Sequence, residues 1–199
     1  MGFDQRAKTW DASDRRQALA EAVSNAIRTQ TSLEKSMHLL DIGAGTGLLT
    51  RRLMPYVSRV TGVDTSAGML EELRKIEGPV DTVEIDIMAY RPESSFDGIV
   101  SSMTLHHIEN TEGLFRHLHG LLKPGGFIAL ADLAPEDGSF HDHGNEGVHH
   151  FGFDEKTLLL LSEKAGFIQP TCRIVHTVSK EGGRTYDIFL LYAIKPLHH

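Results

Sequence analysis

The chain has 199 residues, 40% hydrophobic and 24% charged, a mixture that fits one globular domain over 1–199 and excludes a disordered or fibrous polymer. A formal net charge of −7 argues against a nucleic-acid backbone or an anionic membrane surface as main partner and favours a small molecule. Cys172 is the one cysteine, so no intrachain disulfide forms and a reducing cytoplasm is expected; no apolar run nears the ~18 residues of a membrane span.

In chain order, residues 15–28 place Leu19, Ala22, Val23, Ala26 and Ile27 on one helical face, with Ser13 as N-cap. This predicts a helical cap over 1–30. Strand-like runs follow at 38–42, 59–63, 82–85, 98–101 and 127–131, separated by helical stretches near 48–56, 67–76 and 111–122. Such alternation predicts βα units on a parallel sheet, and the nearly pure apolar middle strands predict burial on both faces. A Gly- and His-rich segment at 135–152 then breaks the rhythm, and Asp154 caps a further helix. Two last runs, 171–178 and 186–194, flank Gly182-Gly183 and predict an antiparallel hairpin. Seven strands result.

The segment Asp41-Ile42-Gly43-Ala44-Gly45-Thr46-Gly47 runs from a buried strand through three alternate glycines directly into a helix. Glycines permit positive φ and close approach of a ligand to backbone. A dinucleotide loop places its third glycine one position later, where this chain has Leu48. Asp41 would repel a diphosphate and attract an ammonium group. Asp64, at the tip of the second strand, suits both hydroxyls of a ribose or the N-cap of the next helix, with Met69 beside an adenine or in the core. Asp86, at the third tip, suits an adenine amine, with the Ile87 backbone on the ring edge.

These residues resemble class I S-adenosylmethionine-dependent methyltransferases over nearly the whole chain. Leu40 to Gly47 is similar to the family's first motif, Val63-Asp64-Thr65-Ser66 to its second, and Asp86-Ile87 to its adenine-contacting acid. The run from Phe96 to His107 resembles the fourth-strand motif, and Leu122-Lys123-Pro124-Gly125-Gly126 the turn before the fifth strand. Phe3, Ala7, Trp10 and Asp11 resemble the opening of small-molecule members related to the ubiquinone and menaquinone methyltransferases or to type 11 methyltransferases, although His107 stands where the quinone enzymes usually carry Asn. The resemblance implies a Rossmann-like α/β fold, a mostly parallel seven-stranded sheet in order 3-2-1-4-5-7-6 flanked by helices, with the last hairpin antiparallel. It implies S-adenosyl-L-methionine as cofactor and a small-molecule methyl acceptor. Cofactor contacts are expected from Trp10, Asp41, Gly43, Ala44, Gly45, Thr46, Gly47, Asp64, Thr65, Met69, Asp86, Ile87, Ser102 and Met103.

The loop after the fourth strand borders the first strand, so His106 and His107 are the candidate proton acceptors, His107 first, or else packing residues. Asp132, His141, His143, His149 and His150 are candidate acceptor contacts, and residues 133–153 a candidate lid. Imidazoles and acids in 141–150 suit a transition metal, but their spacing matches no fixed ligand pattern and no metal is expected. The alternatives are a catalytically silent cofactor-binding regulatory module, a protein or RNA methyltransferase, and an NAD-dependent oxidoreductase.

Overall fold

The computed structural model describes residues 3–142 and 144–197. Its strands are β1 (His38–Ile42), β2 (Arg59–Asp64), β3 (Val80–Glu84), β4 (Phe96–Ser102), β5 (Leu122–Leu133), β6 (Ile168–Ser179) and β7 (Thr185–Ile194). They form one sheet in the order β3-β2-β1-β4-β5-β7-β6. Ladders from β3 to β5 are parallel, whereas β7 runs antiparallel to both β5 and β6. This is the expected Rossmann-like architecture, including the antiparallel final hairpin.

Among the described residues the helices are α1 (Phe3–Trp10), α2 (Asp14–Gln30), α3 (Leu48–Leu53), α4 (Ala67–Leu73), α5 (Thr111–Leu121) and α6 (Glu155–Lys164). Leu114, Phe115, Leu118 and Leu158 of α5 and α6 pack with Leu40, Ile99 and Leu130 in one buried cluster. Leu19, Val23 and Ile27 of α2 join Leu49, Leu53, Val100 and Ala129 in another. Burial of both faces explains why the central strands lack polar alternation. Ser13 caps α2 by accepting from the Arg16 N–H, and Asp154 caps α6 by accepting from the Thr157 N–H.

Several boundaries differ from expectation. The helix predicted over 48–56 ends as α at Leu53 and continues as a 3₁₀ turn, Met54–Tyr56, because Pro55 has no N–H for the helical ladder. β3 begins at Val80, where it pairs with Val60. As a sheet-edge strand it carries the polar Asp81 beside its first residue, which obscured its start. β5 extends back through the predicted turn at 122–126, where Gly125 has φ 79° and the register with β4 shifts.

At the carboxyl end of the sheet α1 packs against α4, and the first turns of α2 border the same end. Asp4 of α1 accepts from Ser66 Oγ at 2.5 Å and from the Gly68 N–H at 3.0 Å, anchoring α1 to the start of α4. The β5–α6 connection returns over the same end. Its Ala134 N–H donates to Asp187 O, and its His149 and His150 N–H groups both donate to His106 O, at 2.9 and 3.2 Å. Among the described residues, no helix is long and apolar enough to cross a membrane.

Candidate functional site

The sheet order reverses between β1 and β4, so the loops leaving their carboxyl ends diverge and open a crevice. A cavity of about 820 Å³ occupies this position, toward the upper end of the ~300–1,000 Å³ range of small-molecule sites. Its wall includes parts of α1 and α2, the loops after β1 to β4, and the β5–α6 connection.

The glycine loop forms one side. Gly43, with φ 63°, sits where an added Cβ would fall 2.0 Å from Thr104 Oγ1, so only glycine lets the β1 and β4 loops meet. Gly45 differs: its added Cβ would meet no atom within 4 Å. Gly47 is not on the wall; it is the N-cap of α3, and an added Cβ would strike Leu73 and Ile76. Ala44 and Thr46 line the cavity, and Thr46 Oγ1 donates to Asp11 Oδ1 at 2.5 Å, tying the N-terminal cap to the loop.

Asp41, Asp64 and Asp86 all reach the cavity wall. Asp64 accepts from the Gly45 N–H at 2.8 Å through Oδ2 and from the Ser66 N–H at 2.9 Å through Oδ1. It is therefore not the N-cap of α4; Ser66 caps that helix by accepting from the Met69 N–H. Asp41 is buried and accepts from Thr50 Oγ1 at 2.6 Å. Burial pushes its carboxyl up to about 7, and the neighbouring Asp64 adds to the rise. Asp86 is exposed, and its Oδ1 accepts from the Met88 N–H at 2.8 Å. Thr65, Met69, Ile87, Ser102, Met103 and Trp10 also line the cavity. Met103 holds φ 62°, a conformation that costs a non-glycine residue free energy and marks the β4 loop as constrained by its surroundings.

At the far end of the cavity stand three histidines. His106 is buried, and its Nδ1 lies 2.7 Å from Asp132 Oδ1. His107 directs Nδ1 to the Gly147 carbonyl at 2.7 Å. A carboxylate and a carbonyl only accept, so in both rings Nδ1 carries a hydrogen. Burial lowers the His107 pKa, and the neighbouring His106 lowers it further. His141 comes from the β5–α6 connection; burial, then His106 and His107, hold it down to about 4. These two residues are thus neutral at pH 7.

The remaining expected acceptor contacts take other places. Asp132 is fully buried behind His106 rather than on the cavity wall. His150 Nε2 donates to the Ile108 carbonyl at 3.0 Å, and neither it nor the exposed His149 lines the cavity. The backbone N–H groups of both attach the connection to His106, which turns their side chains away. His143 lies outside the described residues.

Sequence reasoning missed a cationic side to this cavity. Arg6, Arg15, Arg16 and Lys180 line it, in a chain whose overall charge is −7. Arg16 stacks over Trp10 at 3.7 Å. Arg15 and Lys180 both approach Asp142, at 3.7 and 2.8 Å. Arg6 and Arg16 were visible only as polar positions of amphipathic helices, a pattern that ordinarily means solvent.

A family model described as a methyltransferase domain matches residues 40–130. The chain is 34% identical over 152 residues to an uncharacterized methyltransferase of Schizosaccharomyces pombe, covering 66% of this chain and 54% of that protein. It is 35% identical over 103 residues to trans-aconitate 2-methyltransferase of Escherichia coli O1:K1, covering 51% of this chain and 41% of the relative. The chain thus spans about half the length of these relatives. Its fold is similar to that of DhpI solved with S-adenosylhomocysteine, with a TM-score of 0.76, 21% identity, and coverage of 99% of this chain and 94% of that one.

Proposed function

Since the chain belongs to the class I S-adenosylmethionine-dependent methyltransferase family, we propose that it transfers the methyl group of S-adenosylmethionine to a small-molecule acceptor. The observation that carries this reading is the use of the glycine loop's own N–H groups. Gly45 N–H donates to Asp64, Ala44 N–H to Val63 O and Gly47 N–H to Ala44 O. Backbone donors that cradle a diphosphate in a dinucleotide site are here spent inside the protein. Beside them stand three acids, which repel phosphate and suit a ligand with an ammonium and a sulfonium.

The residues present fit that cofactor. Two of the roughly four acceptor positions on the Asp64 carboxylate take backbone N–H bonds, leaving two for the hydroxyls of a ribose. The open space beyond Gly45 lets a nucleoside lie against backbone. Asp86 and the Ile87 backbone would hold the adenine, with Met69 against its face, and Asp41 would face the amino-acid end. When bound, the cofactor supplies an electrophilic methyl on sulfur that an acceptor lone pair displaces in line, the carbon–sulfur electron pair leaving with the thioether.

The chain's contribution to that step is alignment, desolvation and proton acceptance. Holding two reactants in line is worth ~7–11 kcal/mol when alignment is near ideal. His106, kept in one tautomer by Asp132, presents its Nε2 lone pair to the acceptor's proton, with His107 beside it. Phe140, His141 and Val148 of the 133–153 connection, and Phe3 and Trp10 of α1, border the same space and exclude water as a lid and cap. Of the four cations on its wall, Arg15 and Lys180 pair with Asp142, and Arg6 and Arg16 favour an acceptor bearing a negative group.

Calorimetry with S-adenosylhomocysteine and NAD tests the cofactor, and tritium transfer from labelled S-adenosylmethionine to a metabolite panel tests the reaction. Preferential NAD binding would overturn the assignment. Tight cofactor binding with no label passed to any extract component would instead favour a silent binding module.

A further inference from the structure

His106, His107 and His141 each place one ring nitrogen within 4.8 Å of the other two. Their ring centroids are separated by 4.1, 5.0 and 5.8 Å. Two of the rings are fixed from behind: Asp132 accepts from His106 Nδ1, and the Gly147 carbonyl accepts from His107 Nδ1, each at 2.7 Å. Metal-bound histidines are held in this way, with a carboxylate or carbonyl on the distal nitrogen setting tautomer and ring direction. The third ring supplies an independent sign. His141 Nδ1 is buried and has no hydrogen-bond partner among the described residues, and a buried polar atom left alone calls for an explanation such as an ion.

We propose that His106, His107 and His141 form a binding site for a divalent transition-metal ion at the acceptor end of the cavity, with Asp132 and the Gly147 carbonyl orienting two of its ligands. Imidazole sets select zinc, iron, nickel or copper over the hard cations. Three protein ligands leave at least one coordination position open toward the cavity, as reactive rather than purely structural sites do. Bonds of about 2.0–2.1 Å require the rings to draw closer than their present spread, which the His141 segment accommodates as a loop rather than a strand. The spacing within 141–150 gave no ligand pattern because two ligands belong to a different loop.

The consequence for the reaction, though not the binding itself, rests on the methyl-transfer reading. A cation there takes up the lone pairs that otherwise receive the acceptor's proton. It coordinates an ionisable acceptor atom and lowers that atom's pKa, so the proton passes to solvent and the acceptor is presented as an anion. The metal keeps its oxidation state throughout.

The test uses the full chain, stripped with a chelator and titrated with cobalt(II), reading its visible absorption, and with zinc(II) by calorimetry. One equivalent is expected. His141→Ala and His107→Ala should each weaken affinity at least ~100-fold, and Asp132→Asn about 10–100-fold, while His149→Ala leaves it unchanged. Melting curves confirm that each variant is folded. Absent cobalt absorption, or affinity undiminished in both ligand variants, overturns the site. S-adenosylhomocysteine titrated into the parent chain separates the readings: cofactor binding with no metal taken up sinks only the metal site, and metal uptake with no cofactor binding sinks only the methyl-transfer assignment.

Discussion

His106 Nδ1 and Asp132 Oδ1 lie 2.7 Å apart, with both residues buried and His106 alone of the two on the cavity wall. Asp132 also accepts from the His106 backbone N–H, at 3.3 Å, so one carboxylate fixes both the ring and the chain that carries it. Asp132→Asn replaces an acceptor with a donor amide and favours the tautomer whose hydrogen sits on Nε2. Turnover should fall ~10²–10⁴-fold, while S-adenosylhomocysteine affinity stays near the parent value. Single-turnover transfer and calorimetry check the two halves, and equal loss in both would mean that Asp132 acts on folding alone.

Asp64 is the junction between cofactor site and glycine loop. Asp64→Ala removes the acceptor for two backbone N–H groups and both expected ribose contacts. Hydrogen bonds to a charged group contribute about 1.5–3 kcal/mol each, so affinity for S-adenosylhomocysteine should drop at least ~100-fold. The same titration on Asp86→Ala should show a smaller loss, since that carboxylate is exposed. An Asp64→Ala protein that binds with parental affinity would remove Asp64 from the site.

Gly45 separates backbone strain from ligand clash. Its φ of 55° makes alanine cost ~1–2 kcal/mol of stability, but the new methyl meets only open cavity. Gly45→Ala should therefore fold with a modestly lower Tm and lose cofactor affinity well beyond that cost. Binding equal to the parent would place the nucleoside elsewhere.

Asp41 gives the pH dependence its sign. Its carboxyl is at about 7 in the folded chain against 3.8 for the free group. Between those values the unfolded chain has released a proton that the folded chain keeps. This residue's contribution to stability therefore falls as pH rises from about 4 to 7 and is flat above. Asp41→Asn removes the trend, so its Tm relative to the parent should rise between pH 4 and 8. A cationic ligand favours the ionised carboxylate, so cofactor binding near pH 6 should release a proton and tighten toward pH 8. Calorimetry in buffers of different ionisation enthalpy detects that proton, and no release in the parent chain would detach Asp41 from the ligand.

What the sequence determined by itself is the local and the periodic. Buried strands read as apolar runs, alternate glycines as a bend, and acids at strand tips as a row, because each depends on neighbours within a few residues. Edge strands were less legible: β3 carries Asp81 beside its first residue where only one flank is paired, and its start was displaced. Tertiary structure decided which side chains share a space. Asp132 and His150 read as open to an acceptor, yet one supports His106 from behind and the other bonds the Ile108 carbonyl. The meeting of His106 and His107 with His141, and of Arg6 and Arg16 with Lys180, depends on how the N-terminal helices and the β5–α6 connection fold back over the sheet end. No local pattern encodes such a meeting, since it is set by the packing of segments distant in the chain.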